Sequence, residues 1–340
     1  MLGCDTIIAA ILAASPADTA APVCVEDDWA LAIARTEAAA ENYLLALNEG
    51  KERFRSAFGQ EAPQSALVQG NETFARASDA LAELGYSAAL PWVDQQEQNE
   101  MMAASIRDQV AAAGADPTSP AVAAQIEQIL ASRASEAPSP DVERGLLSHE
   151  FGHIWFMREV WRDMEPGNHH YGGSAPDWLD ELVAVALESE ELTESRWRRL
   201  REDHTSGAAL GLEQFFTMPH PSAAIARQVA EERGGILAPD SPELQGRRSY
   251  TRVTTLTGED ARRVMANSES NPLTFYAMAR GVLDFLQDRG GADILPELSA
   301  GLRAGASLED WLASDGARFN LASDLTALEA DWSEWMASRS

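Results

Sequence analysis

The stretch SHEFGHIWF, residues 148–156, carries the residue types most able to do chemistry. The whole chain has six histidines, and two of them stand here four positions apart with a glutamate after the first. On a helix, positions i and i+4 share a face with Cβ atoms roughly 5–6 Å apart. Two imidazoles so placed converge on one ion at about 2.0–2.1 Å each. His149 and His153 meet that condition. Glu150 lies off the shared face, so it is expected not to ligate the metal. It is expected to take a proton from a water that zinc has brought to a pKa of about 7.

Two imidazoles need a third ligand. PDWLDELVAVA, residues 176–186, offers Glu181 one turn inside a second helix, with Leu179, Leu182, Val183 and Ala186 as an apolar side to lie against the first. Position favours Glu181; Asp177, Asp180 and Glu188 are the alternatives. Asp177 is expected either to start the helix or to support a ligand histidine. A His, His, Glu set with one open position is the pattern of a catalytic zinc site. A metzincin would need Gly at 156 and His at 159, where this chain has Phe156 and Glu159. A non-haem iron triad could use the same three ligands but leaves Glu150 unexplained.

HEFGH followed by PDWLDELVA resembles the gluzincin metallopeptidases, and within them the peptidase MA-like families. The tail from FYAMARGVLDFLQDRG to LEADWSEWM resembles the same group more weakly. Together these cover roughly residues 140–340. The resemblance implies His149, His153 and Glu181 as zinc ligands, Glu150 as general base and zinc-dependent peptide-bond hydrolysis. It also aligns Tyr276 with the tyrosine that steadies the oxyanion; a packing role on an amphipathic helix is the alternative. Leu182 stands where the group has glycine, and the stretch before HEFGH reads as helix where better-known relatives have a strand. The rival from another class is a non-catalytic helical binding protein with a structural or relic zinc site.

The elements that must position these residues read as helices. Ser139 and Pro140 suit the cap and first position of a long helix running to about Met164. A second is expected from Ser174 or Asp177 through ELVAVALESEEL towards Arg201. Four more close the chain, at 272–289, 293–303, 308–314 and 324–338. Upstream, residues 28–59 and three further Ala-, Glu- and Gln-rich pieces read as helix with no period-2 strand. SYTRVTTL, 249–256, is the best strand candidate, and AAIARQVAEER a short helix. The expected fold is therefore mainly α with little β. Its three parts are an N-terminal segment (1–24), an α-helical N-terminal region (25–135) and a gluzincin-like catalytic domain (136–340).

Trp155, Trp161 and Trp178 are assigned to the core, Gly152 to a close approach of another backbone, and His169, His170, His204 and His220 to surface or loop. With 54 acidic and 26 basic residues the net charge is −28. Such a surface repels phosphate backbones and anionic lipid, which disfavours nucleic acid and membrane surfaces; a peptide or protein substrate is what the resemblance implies. Oligomeric state is not readable. Cys4 and Cys24 are the only cysteines, so thiolate zinc sites are excluded. TIIAAILAA near the start reads either as the apolar core of an export signal, though no positive charge precedes it, or as a buried helix. Export is the preferred reading, a cytoplasmic location the alternative. A Cys4–Cys24 bridge is expected only if the segment is retained.

Overall fold

The computed structural model describes residues 2–15, 20–134, 138–162, 174–221 and 271–339. The architecture is mainly α with little β, as the sequence predicts. The candidate strand at 249–256, the helix at 223–233, His169 and His170 lie outside the described residues. The chain divides into two compact units.

The first unit takes the described residues up to Leu44 together with Gln64–Glu143. It holds the four strands seen among the described residues: β1 (Val23–Glu26), β2 (Ala30–Ala34), β3 (Ser65–Gln69) and β4 (Ala88–Trp92). They lie in the order β1-β2-β3-β4; β1 is antiparallel to β2, and β2, β3 and β4 are parallel. Helix α2 (Glu37–Phe58) connects β2 to β3, and α3 (Asn71–Glu83) connects β3 to β4. This corrects the expectation of a strand-free region 25–135. β2 and β3 are buried at every residue, so ALAIA and SALVQ show none of the alternation that marks a half-exposed strand. Their alanines read as helix instead.

The N-terminal segment is an ordinary packed helix. α1 (Leu2–Ala13) buries Ile7 and Ile11 completely, in one cluster with Leu31, Ile33, Ala66 and Val68 of the sheet and Phe74, Ala77 and Leu81 of α3. A Cys4–Cys24 disulfide ties it to β1 across 20 residues. A loop of that size restricts the unfolded chain enough to contribute about 3 kcal/mol. The unit continues through α4 (Gln95–Ala112) and α5 (Pro120–Ala134). No helix among the described residues is long and apolar enough to cross a membrane.

The second unit takes Leu45–Pro63, the later part of α2, together with the described residues from Arg144 onward. Helix α6 (Pro140–Trp155) begins as expected: the Ser139 hydroxyl accepts from Val142 N–H at 3.1 Å. Its regular part ends at Trp155, and the expected end at Met164 lies outside the described residues. At Phe156 it widens into a π turn (Phe156–Trp161) that ends at Arg162 in the left-handed region, φ 59°. Arg303 Nη1 donates to the carbonyl of Val160 at 2.6 Å, which supplies a partner to the altered backbone.

The expected second helix is two. α7 (Asp177–Ala186) stops before Glu188, and α8 (Glu190–Ser206) restarts with Ser189 as its cap. A short α9 (Leu212–Thr217) follows. The closing helices match the sequence reading to within a residue or so: α10 (Pro272–Gly290), α11 (Ile294–Arg303), α12 (Leu308–Asp315) and α13 (Leu325–Ala337). α10 packs against both α7 and α8.

Candidate metal centre

Every residue of this cluster belongs to the second unit. Two glycines on one stripe of α6 admit the next segment. A Cβ on Gly152 would stand 2.9 Å from the Cα of Ala184, and one on Gly145 would stand 2.9 Å from the Ser189 nitrogen. Both are backbone atoms that cannot swing aside. Gly152 therefore costs α6 helix propensity and in return lets α7 cross at backbone contact, as its place inside HEFGH suggested. On its other side α6 meets α2, where the Ser148 hydroxyl donates to the carbonyl of Ala46 at 3.0 Å. Trp155 lies edge-on to Phe54. Trp155, Trp161 and Trp178 are all buried, as assigned.

This close crossing brings His149 and His153 of α6 to Glu181 of α7. One ligand atom from each of the three lies within 4.8 Å of the others. His149 Nε2 is 3.4 Å from Glu181 Oε1, and His153 Nε2 is 3.9 Å from Oε2. Glu181 is 1% exposed, yet neither of its oxygens has a hydrogen-bond partner among the described residues. A buried carboxylate in that state is costly unless a cation is meant to sit against it.

The far side of each ring is held. His149 Nδ1 lies 3.0 Å from Glu188 Oε1, and His153 Nδ1 lies 2.8 Å from Asp180 Oδ2. Asp180 and Glu188 were, with Asp177, the alternative ligands; both instead back the imidazoles, which fixes the tautomer and leaves each Nε2 turned to Glu181. The break between α7 and α8 frees Glu188 to do this. Arg196 of α8 grips Glu188 in turn, with Nη2 at 2.8 Å from Oε1 and Nε at 3.2 and 3.3 Å from the two oxygens. Its guanidinium also lies 4.8 Å over the ring of Tyr276.

Asp180, Glu181, Glu188 and Glu150 together outweigh Arg196, and the cluster draws positive charge. Burial alone lowers the pKa of His153, but Asp180, Glu181 and Glu150 push it up to about 10. Burial alone raises that of Glu181, but His149, His220 and His153 bring it down to about 2. Without an ion, a proton on His153 supplies part of the positive charge that a divalent cation would bring. Two nitrogens and one oxygen, each buried and oriented, fit a divalent metal ion.

Glu150 follows His149 on α6 and is partly buried. Tyr276, near the start of α10, stands with its ring 5.7 Å from that of His149. Asp177 opens α7 and accepts the backbone N–H of His220 at 2.7 Å.

His220 corrects the sequence reading. It is no surface residue but 2% exposed, with Nε2 3.4 Å from Glu181 Oε2. The one signal for it was its setting in MPHP: prolines on both sides favour a fixed, extended backbone. His204 is exposed, as expected. Arg196 left no signal, since a buried arginine in ESRWRRL looks like its exposed neighbours.

Comparison of the chain with protein-family models, with curated proteins and with solved structures returns no match.

Proposed function

We propose that the chain is a zinc-dependent peptide-bond hydrolase of the gluzincin type. One observation carries the reading: a buried carboxylate without a hydrogen-bond partner among the described residues faces the Nε2 atoms of two histidines whose Nδ1 atoms are backed by carboxylates. His149, His153 and Glu181 would hold the ion, and a set of three with a corner left for solvent suits catalytic zinc better than the four-ligand structural kind. Bound there, zinc would supply Lewis acidity to a carbonyl oxygen and would make a water acidic enough to attack near neutral pH.

The remaining chemistry belongs to the chain's own side chains. Glu150, outside the ligand set, takes the proton of the attacking water and returns it to the leaving amine. Tyr276 donates a hydrogen bond to the developing oxyanion. Asp180 and Glu188 keep the two rings oriented through both steps. The Cys4–Cys24 bridge, which keeps the N-terminal helix in place, supports a protein working in an oxidising compartment.

Metal analysis of the purified protein, with cleavage of a mixed peptide library in the presence and absence of a chelator, tests the reading. Bound zinc and chelator-sensitive cleavage are expected. Zinc without cleavage would leave a structural metal in a binding protein. Glu150→Gln should keep the zinc and lose the cleavage; turnover retained in that variant removes Glu150 as the base.

A further inference from the structure

We propose that His220 is a positioning residue of this centre, holding one oxygen of Glu181 so that the other is presented to the metal. The inference rests on the metal reading above and adds a third imidazole to it. His220 Nε2 stands 3.4 Å from Glu181 Oε2, while Oε1 is the oxygen nearest His149 Nε2, also at 3.4 Å. The three atoms that converge come from His149, His153 and Glu181, without His220. His220 therefore meets the carboxylate of one ligand and does not join the ligand set.

Its placement is built from several sides. Asp177 and Glu181 sit at i and i+4 on α7, so one face of one helix meets His220 twice: Asp177 Oδ2 takes its backbone N–H, and Glu181 meets its ring. Phe275 lies edge-on to that ring at 5.1 Å, and Tyr276 lies 5.7 Å away at 37°. A ring clamped in this way loses little rotamer freedom when it donates, so the contact with Oε2 tightens at low entropic cost once a cation draws Oε1. A carboxylate with both oxygens free can bind an ion through either or both. One oxygen held by an N–H leaves a single-oxygen ligand and keeps the remaining corner open for solvent.

Three variants of the full chain decide it. His220→Leu and His220→Ala remove the donor, the first with its bulk against Phe275 retained; His220→Gln keeps an N–H donor. Zinc affinity is read by chelator competition and coordination by the visible spectrum of the cobalt-substituted protein, with far-UV circular dichroism to establish folding. The donorless variants should lose about 10- to 100-fold in zinc affinity and change the cobalt spectrum, and His220→Gln should recover most of both. Wild-type affinity and spectrum in either donorless variant would return His220 to packing. X-ray absorption on the wild-type zinc protein that counts three imidazoles would make it a ligand and equally overturn the proposal. A wild-type protein that takes up no metal would remove the centre itself, whereas a metal-loaded wild type with an indifferent His220 removes only this inference.

Discussion

Two carboxylates in this molecule, one half-buried and one buried, sit in opposite kinds of environment. Glu143, in the first unit, receives Trp92 Nε1 at 3.2 Å and Asn42 Nδ2 at 3.1 Å. Both donors are uncharged. Burial raises its pKa, the charge of Asp94 adds to that, and the two hydrogen bonds only partly offset them. Glu181, in the second unit, has no hydrogen-bond partner for either oxygen among the described residues, has imidazole nitrogens at 3.4, 3.4 and 3.9 Å, and has its pKa driven down to about 2. The first carboxylate is satisfied by the fold. The second is satisfied only by positive charge. That difference, more than burial or acidity, separates a structural acid from a candidate metal ligand.

The strongest break of the comparison is to delete each carboxylate and measure metal. Glu181→Ala should leave a folded protein stripped of zinc at equilibrium, because two imidazoles alone make a weak site. Unchanged zinc content would move the third ligand elsewhere. Next in size is Tyr276→Phe. If the phenol donates to the oxyanion, kcat should fall on the order of 10²–10³ with zinc content unaltered. A wild-type rate would give Tyr276 the packing role that its contact with Arg196 also allows.

The sequence made the second unit far more legible than the first, for a physical reason. HEFGH and Glu181 were readable because metal chemistry restricts both residue type and helical spacing, and the structure brings those three together. Gly152 was readable because a glycine inside a helix is costly without a close neighbour, and Ala184 is that neighbour. The tail helices follow amphipathic periodicity and regular caps. The sheet was missed because strands buried on both faces lose their period, and alanine-rich strands look like helix. His220 and Arg196 were missed because their roles depend on tertiary contacts with Glu181 and Glu188, which no local pattern encodes. Glu188 was read inside a continuous helix; only the break before Ser189 shows why it reaches His149.

The supporting carboxylates give an intermediate effect. Asp180→Asn keeps the shape but replaces a charged acceptor for His153 Nδ1 with a neutral amide. Zinc affinity should fall about 10- to 100-fold, less than for a lost ligand. An Asp180→Asn protein that binds zinc like wild type would mean the ring is held by packing alone.

The smallest effect belongs to the other side of the comparison. Glu143→Gln keeps one carbonyl acceptor for Trp92 or Asn42, loses the second, and removes a charge that burial disfavours. These oppose one another, so zinc content should be unchanged and stability should move by no more than about 1 kcal/mol. The pH dependence is the sharper readout. A carboxyl whose folded pKa is raised binds its proton more tightly in the native state than in the unfolded one. Its contribution to stability therefore declines as pH rises from the unfolded value through the folded one, and is level above that. Glutamine imitates the protonated acid and lacks this decline. The urea midpoint of Glu143→Gln should thus gain on wild type as pH rises above the ordinary glutamate value, measured with the metal chelated in both proteins. The Glu181 contribution runs the other way, present above the ordinary glutamate value and lost as pH falls towards about 2. A Glu143→Gln midpoint that tracks wild type in parallel across the range would mean that burial does not perturb this acid, and the contrast with Glu181 would then rest on hydrogen bonding alone.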